Sequence, residues 1–410
     1  ALDAAGFRKL LSGSIDLSKS TIYMSQGKYI MSEESGLGVI VRKDVKAIKG
    51  GYSQFSEGTD VSARDIDAYV TVISGDVNGN KQADAGDCGL LLVKKGHIAI
   101  EGVTFQYGYV SEADASATEC GSGIYVSGSA SDTSIELTDC VIRDCKSGVT
   151  TSAKQGGPAV FVLSGQVRLN KVSLLDNTAA GRGGAVRCSS KTAVVFMNGC
   201  LLKGNSHNGS WGNGIQMSEG HICINNTTLI ENMGTGAALN GGGSILLTNN
   251  TIIGNANDSH GAVRCETGVG GDTKFINNLL ISENPSAPSF NLNGINFEAF
   301  SKGYNVYQRV TGITMSASDT AYPNQVNGAL NEEGVYVWDL NQIGSVKGYA
   351  TRQAVIEVAK SFNPVASPIT NLGEVFVEWI GEDAFGIDQR GVTRNTNKMQ
   401  AGAYDAVLAN

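Results

Sequence analysis

Apolar residues return along the middle of the chain in short alternating runs of β character, at an interval too long for one helix and too regular for chance. Between about residue 95 and residue 285, hydrophobic anchors stand at Ile100, Leu137, Leu169, Met197, Ile224, Leu247 and Ile276, separated by 37, 32, 28, 27, 23 and 29 residues. Eight residues after each anchor come Gly108, Cys145, Asn177, Asn205, Asn232, Asn255 and Asn284. Three and five residues after it the chain is small or apolar in most repeats, as at Val103 and Phe105 or Cys140 and Ile142, which marks inward positions. A second series keeps step. The segments GSGIYV, GPAVFV, GGAVRC, GNGIQM, GAALN and HGAVRC centre on Ile124, Val160, Val186, Ile215, Ala238 and Val263, spaced 36, 26, 29, 23 and 25 apart.

Two strand series that advance together, with glycine or asparagine at the corners, predict an all-β chain: a single-stranded right-handed parallel β-helix, a solenoid with capped ends. Leucine-rich repeats have similar periods but demand leucine where this chain has Val, Cys, Ile and Met. The implied boundaries are an N-terminal cap and first coil over 1–60, the β-helix over 61–310, and irregular last coils with a C-terminal cap over 311–410. The 410 residues then mean about a dozen turns rather than two or three globular domains. The asparagines Asn177, Asn205, Asn232, Asn255 and Asn284 are read as structural. Their amides can hydrogen-bond along a stack at the strand spacing of about 4.8 Å, and asparagine tolerates the left-handed backbone of a sharp corner. Of the 32 asparagines, 21 lie between Asn170 and Asn305.

A stack of strands has two open edges that invite aggregation unless covered. AAGFRKLL, residues 4–11, places Phe7, Leu10 and Leu11 at helical spacing for an N-terminal cap, and RQAVIEVAKSF, residues 352–362, is similarly amphipathic. After Asn284 the repeat loosens, and GYNVYQRVTGITM is expected to give one or two degenerate coils.

Composition sharpens this picture. Glycine supplies 53 residues and proline 6, which suits many tight corners. With 31 basic against 39 acidic residues the formal charge is −8, so no nucleic-acid partner held by a basic surface is expected. No apolar run is long enough for a transmembrane segment, and the first residues lack the pattern of a signal peptide. Of the eight cysteines, Cys140 with Cys200 and Cys188 with Cys265 share inward columns two and three coils apart, roughly 9.6 Å or more, beyond disulfide reach. They are read as buried thiols; Cys120 and Cys145 are within loop reach of each other, and Cys88 and Cys223 stay undecided.

The coils, the opening STIYMSQGKYI with VKAIKGGYSQF and TVISGDVNGN, resemble the bacterial right-handed parallel β-helix proteins of the pectate-lyase-like superfamily. The ending GIDQRGVTRNTNKMQAGAYDA is similar to that of the choice-of-anchor Q type proteins exported by Gram-negative bacteria, carried here by Asp388, Arg390, Gly391, Arg394, Gly402, Ala403 and Tyr404. The resemblance implies an extracellular or outer-surface protein, and it leaves activity open because this fold hosts lyases, hydrolases and adhesins. The ending itself reads as a structural turn whose arginines are tied to acidic or carbonyl partners.

Chemistry has three candidate locations. Between the inward residues of the second series lies an outward column, Tyr125, Phe161, Arg187, Gln216, Leu239 and Arg264, whose aromatic faces and guanidiniums suit sugar rings and uronate or sulfate groups. The alternative for this column is a stripe packed under a loop. Asp144 and Asp176, seven residues after their anchors, would sit about one strand spacing, roughly 5 Å, apart, near the separation of a retaining glycosidase pair. DVNGNKQADAGD sets Asp76, Asn78, Asn80, Asp84 and Asp87 at positions 1, 3, 5, 9 and 12, the oxygen-ligand spacing of a calcium loop, although Lys81 replaces the glycine and no helices flank it. Calcium and an ordinary polar turn are both open there, and no other cofactor is expected. The four histidines, His97, His207, His221 and His260, offer no spaced metal pair. The function expected is polysaccharide binding, of acidic glycan along a flat sheet face, by a monomer; the alternatives are a lyase or glycoside hydrolase acting on acidic glycans, and a structural adhesin.

Overall fold

Residues that alternate in the sequence alternate in space. In Thr133–Thr138 the side chains of Thr133, Ile135 and Leu137 are buried while Ser134, Glu136 and Thr138 stay half-exposed, the pattern of a strand with one dry face. The computed structural model describes the chain except residues 1–2, 56–59, 116–120, 152–154, 210, 256, 258, 266–272, 285, 292–299, 309, 312–315, 322–327, 331–335, 339–347 and 404–410. The chain divides into two compact units, Ala1–Val194 with Asn205–Gly209, and Val195–Gly204 with Ser210–Asn410.

In the first unit every turn of the chain stacks on its neighbour through parallel pairing. Leu91–Glu101, Thr133–Thr138 and Gly165–Asn170 form one sheet with Ile100, Leu137 and Leu169 in register, all fully buried. Thr104–Gln106, Val141–Arg143 and Ser173–Leu175 form a second, with Phe105, Ile142 and Leu174 aligned. Ile124–Val126, Val160–Val162 and Val186–Cys188 make the third face predicted from the second series. Corners between the first two sheets fall at Gly102, Asp139 and Lys171, with φ of +64°, +49° and +53°. The next corner falls at Tyr107, Asp144 and Asp176, with φ of +56°, +53° and +54°. A left-handed residue at the same place in each turn is what lets the chain bend inward without breaking the pairing on either side. The amide column is a direct consequence: Asn177 donates its backbone N–H and its Nδ2 to Asn205 Oδ1 at 3.1 and 2.9 Å, and its Oδ1 accepts the Cys145 N–H at 3.0 Å. The helix α1, Ala4–Ser12, caps this unit. Asp3 accepts the Gly6 N–H at 2.8 Å, and Phe7 and Leu11 are buried while Leu10 is only half-buried.

The second unit repeats the scheme and corrects the register. Leu247 pairs with Phe275, not Ile276, and Leu239, not Ala238, pairs with Ile215 and Val263. The first slip hid a second amide column. Counted from Phe275, the third position is Asn278, in line with Asn250. The Thr227 N–H donates to Asn250 Oδ1 at 2.9 Å, Asn250 donates to Asn278 Oδ1 through its backbone N–H at 2.9 Å and Nδ2 at 3.1 Å, and Asn278 donates to Asn305 Oδ1 by the same two groups at 2.9 Å. The buried Asp319 terminates the series, accepting the Asn305 N–H at 2.9 Å. In the first column Asn232 and Asn255 donate to the carbonyls of Leu202 and Asn232 at 2.9 and 2.5 Å. Asn284 falls one residue beyond the register fixed by Gly254 and Ser282, and it is half-buried, so it does not extend that column.

Two helices come after the coils, α2 (Arg352–Lys360) and α3 (Leu372–Ile380). They lie over the second unit's first sheet. Phe196 packs 5.3 Å from Phe376 and 5.8 Å from Trp379, ring centre to ring centre, and Lys274 Nζ donates to Ser361. The ending continues along the corner Asn226, Asn249 and Asn277. Asn226 donates to the carbonyls of Ala384 and Ile387, and Arg394 reaches Asn226 Oδ1 at 2.8 Å and the Gly402 carbonyl at 2.9 Å. Asp388 is paired to Arg390, and Tyr404 lies outside the described residues. The arginines are tied to acidic and carbonyl groups as predicted, but those ties lie within the ending, and Asn226 is what holds it to the coils.

The seven described cysteines, Cys88, Cys140, Cys145, Cys188, Cys200, Cys223 and Cys265, are buried thiols; Cys120 lies outside the described residues. Burial pushes the Cys140 and Cys145 thiols up to about 12, so both remain neutral. Of the predicted degenerate coils, Val306–Tyr307 and Thr320–Ala321 are paired parallel strands, and residues 309 and 312–315 of that stretch lie outside the described residues. No described helix is long and apolar enough to cross a membrane.

Removing one rung of the second amide column should be costly. Asn278→Leu strands the Asn250 N–H in a dry interior and removes the side-chain donor to the Leu247 carbonyl, and urea unfolding of the full chain is expected to show a loss of about 2–4 kcal/mol; an unchanged midpoint would mean that the column adds nothing to stability.

Candidate functional site

The column expected to bind sugar is in register but not exposed. In the first unit Tyr125, Phe161 and Arg187 align on successive strands, with the two rings 5.6 Å apart and the Arg187 guanidinium 5.6 Å from the Phe161 ring. Tyr125 is 0% exposed, Phe161 1% and Arg187 6%. Ala115, Val149 and Leu163 close over them together with Leu37 and Ile40. Arg187 Nη1 donates to the Gln155 carbonyl. In the second unit the aligned residues are Gln216, Asn240 and Arg264, because the shift of register turns Leu239 inward. Gln216 and Arg264 are also buried, and Arg264 stacks 4.3 Å over the Trp211 ring. The flat exposed face is therefore corrected to a covered one. The connections that lead into the third face, through Ala115 and Val149, fold back across it, since aromatic rings and arginine stems gain more from loop packing than from water.

A carboxylate pins that cover in the first unit. Glu112 accepts the Thr150 N–H at 2.6 Å, the Thr150 hydroxyl at 3.0 Å, the Thr151 N–H at 3.1 Å and the Thr151 hydroxyl as well. These hydrogen bonds, the one from the Thr151 hydroxyl foremost, lower the carboxyl to about 2. A depressed folded value means that the pin contributes fully above the ordinary value near 4.5 and fades as pH falls toward about 2. Glu112→Gln should therefore speed amide hydrogen exchange in 111–115 and 149–151 at neutral pH, and wild type should approach that behaviour only under acid; equal protection of both at neutral pH would rule the pin out.

Asp144 and Asp176 occupy the second left-handed corner. They line a hollow of about 280 Å³ with Tyr107, Lys81, Lys146 and Thr178. Asp144 is paired to the adjacent Arg143 at 2.6 Å. Their spacing is set by the corner, where aspartate accepts a positive φ more readily than most residues.

The 76–87 loop satisfies its own oxygens. Asp76 is buried against Lys28 Nζ at 2.5 Å and accepts the Lys81 N–H at 3.2 Å. Asp87 accepts the N–H groups of Val77 and Asp84 at 2.9 and 3.0 Å, and Asp84 accepts the side-chain amides of Asn78 and Asn80 at 2.9 and 2.6 Å. Among the described residues no group of three His, Cys, Asp or Glu side chains is arranged to hold a metal ion. Lys28 neutralises Asp76 in this arrangement.

The outer side of the first unit's first sheet is an accessible polar surface. One row across the strands runs Tyr23, Lys49, Glu101, Thr138 and Asn170; the next carries Ala99, Glu136 and Arg168; a third carries His97, Ser134 and Gln166. All are half-exposed or exposed. A hollow of about 290 Å³ opens on this face between Ser18, Asp44, Lys46, His97, Ser134 and Glu136. His97 Nδ1 lies 2.8 Å from Ser134 Oγ, and the His97 N–H donates to Asp44 Oδ1 at 2.8 Å. Burial lowers Arg168, with Glu136 partly restoring it. The signal for this face was present in SIELT and QVRLN, where every second residue is polar, and in HIAIE, where only Ala99 interrupts the alternation.

The family model for the right-handed β-helix region matches residues 69–280, just over half of the chain, and the chain belongs to that family. No curated protein and no solved structure matches it.

Proposed function

We propose that this is an exported surface or extracellular β-helix protein that binds acidic polysaccharide along the open outer face of the first unit's first sheet. The observation that carries the reading is the alternation of buried and half-exposed residues in Thr133–Thr138 and Gly165–Asn170, which leaves three aligned rows of polar side chains facing out. Lys46, Lys49, Arg168 and His97 supply donors for carboxylate or sulfate groups, and Tyr23, 41% exposed, supplies a ring for stacking at the edge of the same face. A repeat of about 4.8 Å between rows of strands gives an extended polymer a series of similar contacts, each weak and together sufficient. Export rests on the resemblance to pectate-lyase-like proteins and to the endings of choice-of-anchor proteins.

Binding of polygalacturonate and alginate, measured by titration calorimetry at two salt concentrations, tests the site. The combined variant Tyr23→Ala, Lys46→Ala, His97→Ala should weaken binding at least tenfold and flatten its salt dependence, with an unchanged unfolding midpoint. Wild-type affinity in that variant would remove this face from consideration.

A further inference from the structure

The hollow beside His97 exists because one residue in its floor is small. Val45 pairs with Ile98, which brings Lys46 alongside Ala99, and Ala99 pairs with Glu136, so a single row runs Lys46, Ala99, Glu136 across three strands. Ala99 places only a methyl group between two long side chains, and the space above it stays open as the hollow of about 290 Å³. The adjoining row sets Ser134 opposite His97 on the same two strands. Ser134 Oγ lies 2.8 Å from His97 Nδ1, and Asp44 Oδ1 accepts the His97 backbone N–H at 2.8 Å, which ties His97 to the neighbouring coil. Both side chains line the hollow, and among the described residues neither the Ser134 hydroxyl nor the His97 ring has a second hydrogen-bond partner.

We infer that Ser134 and His97 are the nucleophile and the general base of an esterase site that cleaves small acyl esters seated over Ala99. This activity goes beyond the proposed polysaccharide binding and does not depend on it. A hydroxyl within hydrogen-bond reach of an imidazole, at the edge of an opening that also holds a cation, is the arrangement that nucleophilic acyl transfer uses. The lining selects the substrate class. Ala99 gives a short acyl chain an apolar floor, and Lys46 on the same row offers positive charge to the carbonyl oxygen as it turns negative. Esters fit better than amides, because an alcohol departs more readily than an amine and the His97 ring has no carboxylate partner among the described residues.

The step balances with one water. With its own proton on Nε2, the His97 ring takes the Ser134 proton on Nδ1 as Oγ bonds to the acyl carbon. That proton passes to the alkoxy oxygen as the ester carbon–oxygen bond breaks and the alcohol departs. Water then adds to the acyl carbon and gives a proton to Nδ1. The bond from that carbon to Ser134 Oγ breaks, Oγ recovers the proton, and the carboxylic acid leaves.

A pair that served only as a cross-strand hydrogen bond would touch stability alone. The full chain is incubated with para-nitrophenyl acetate, glyceryl triacetate and glucose pentaacetate, the last two separating an ester of a simple alcohol from one of a sugar. Release of nitrophenolate and acetate, the acetylated peptide after an acid quench, and the unfolding midpoint are measured. The expected result is acetate release from at least one of the two unactivated esters, with the acetyl group trapped on Ser134. The rate should fall roughly 100-fold in Ser134→Ala and in His97→Gln at an unchanged midpoint. Ala99→Leu, which fills the hollow and leaves the pair in place, should lose turnover as well. Nitrophenolate release that persists in Ser134→Ala would mean that imidazole acts alone and would overturn the inference. Acetate release from neither unactivated ester, or full activity in Ala99→Leu, would overturn it too, and each of these results leaves the binding reading standing.

Discussion

The fold depends on a backbone constraint at its corners. At the same place in each turn one residue must take a left-handed conformation, so that the chain bends and the next strand still pairs with the coil before it. Glycine meets this at Gly102 and Gly199, aspartate at Asp139, asparagine at Asn226, Asn249 and Asn277, and even Lys171 and Tyr304 are held there with φ of +53° and +61°. Immediately after the corner stands an inward residue whose backbone N–H cannot reach a sheet partner on its own coil. In the second unit the solution is an amide: Asn250, Asn278 and Asn305 each offer one oxygen to the residue of the preceding coil and donate to the next, until Asp319 receives the last N–H. The series is costly to start and economical to extend, because every added coil brings both the donor and the acceptor that its neighbour lacks.

Side-chain burial then decides what each sheet can do. The first sheet is half-exposed in the first unit, in Thr133–Thr138 and Gly165–Asn170, but His221–Asn225 and Ser244–Thr248 in the second unit are buried at every position. Phe196 against Phe376 and Trp379, Asn226 against the 384–387 backbone, and Arg394 against Asn226 and Gly402 account for the difference. The polar and charged ending is fixed by hydrogen bonds to corner asparagines. Its aspartate and arginines are structural clamps, and the first unit's polar face carries no such cover among the described residues.

The same logic separates the carboxylates. Asp144 and Asp176 occupy a corner and meet basic neighbours, with Asp144 paired to Arg143, while Asp76 is neutralised by Lys28 from the strand Gly27–Ile30. Glu101 and Asp139 differ because one is held by two cations and the other is drawn into a drier corner. Carboxyls on adjacent coils are thereby shifted in opposite directions, which periodicity alone would never distinguish.

The period, the inward anchors, the stacked Asn177 and Asn205, the buried thiols and both amphipathic cap helices were determined by the sequence, because each is set by a short-range alternation or a repeat that the linear chain displays. A slip of one residue at Phe275 was enough to conceal the column through Asn278, since glycine-rich loops of unequal length carry no mark of where the next strand resumes register. Only the tertiary structure decided which faces meet solvent. Tyr125, Phe161 and Arg187 point outward from their coils as the alternation requires, but Glu112 and the loops it fastens close over them, and the C-terminal helices close over Phe196. Burial by a distant segment depends on where that segment packs, and strand periodicity reports the direction of a side chain without reporting what lies beyond it.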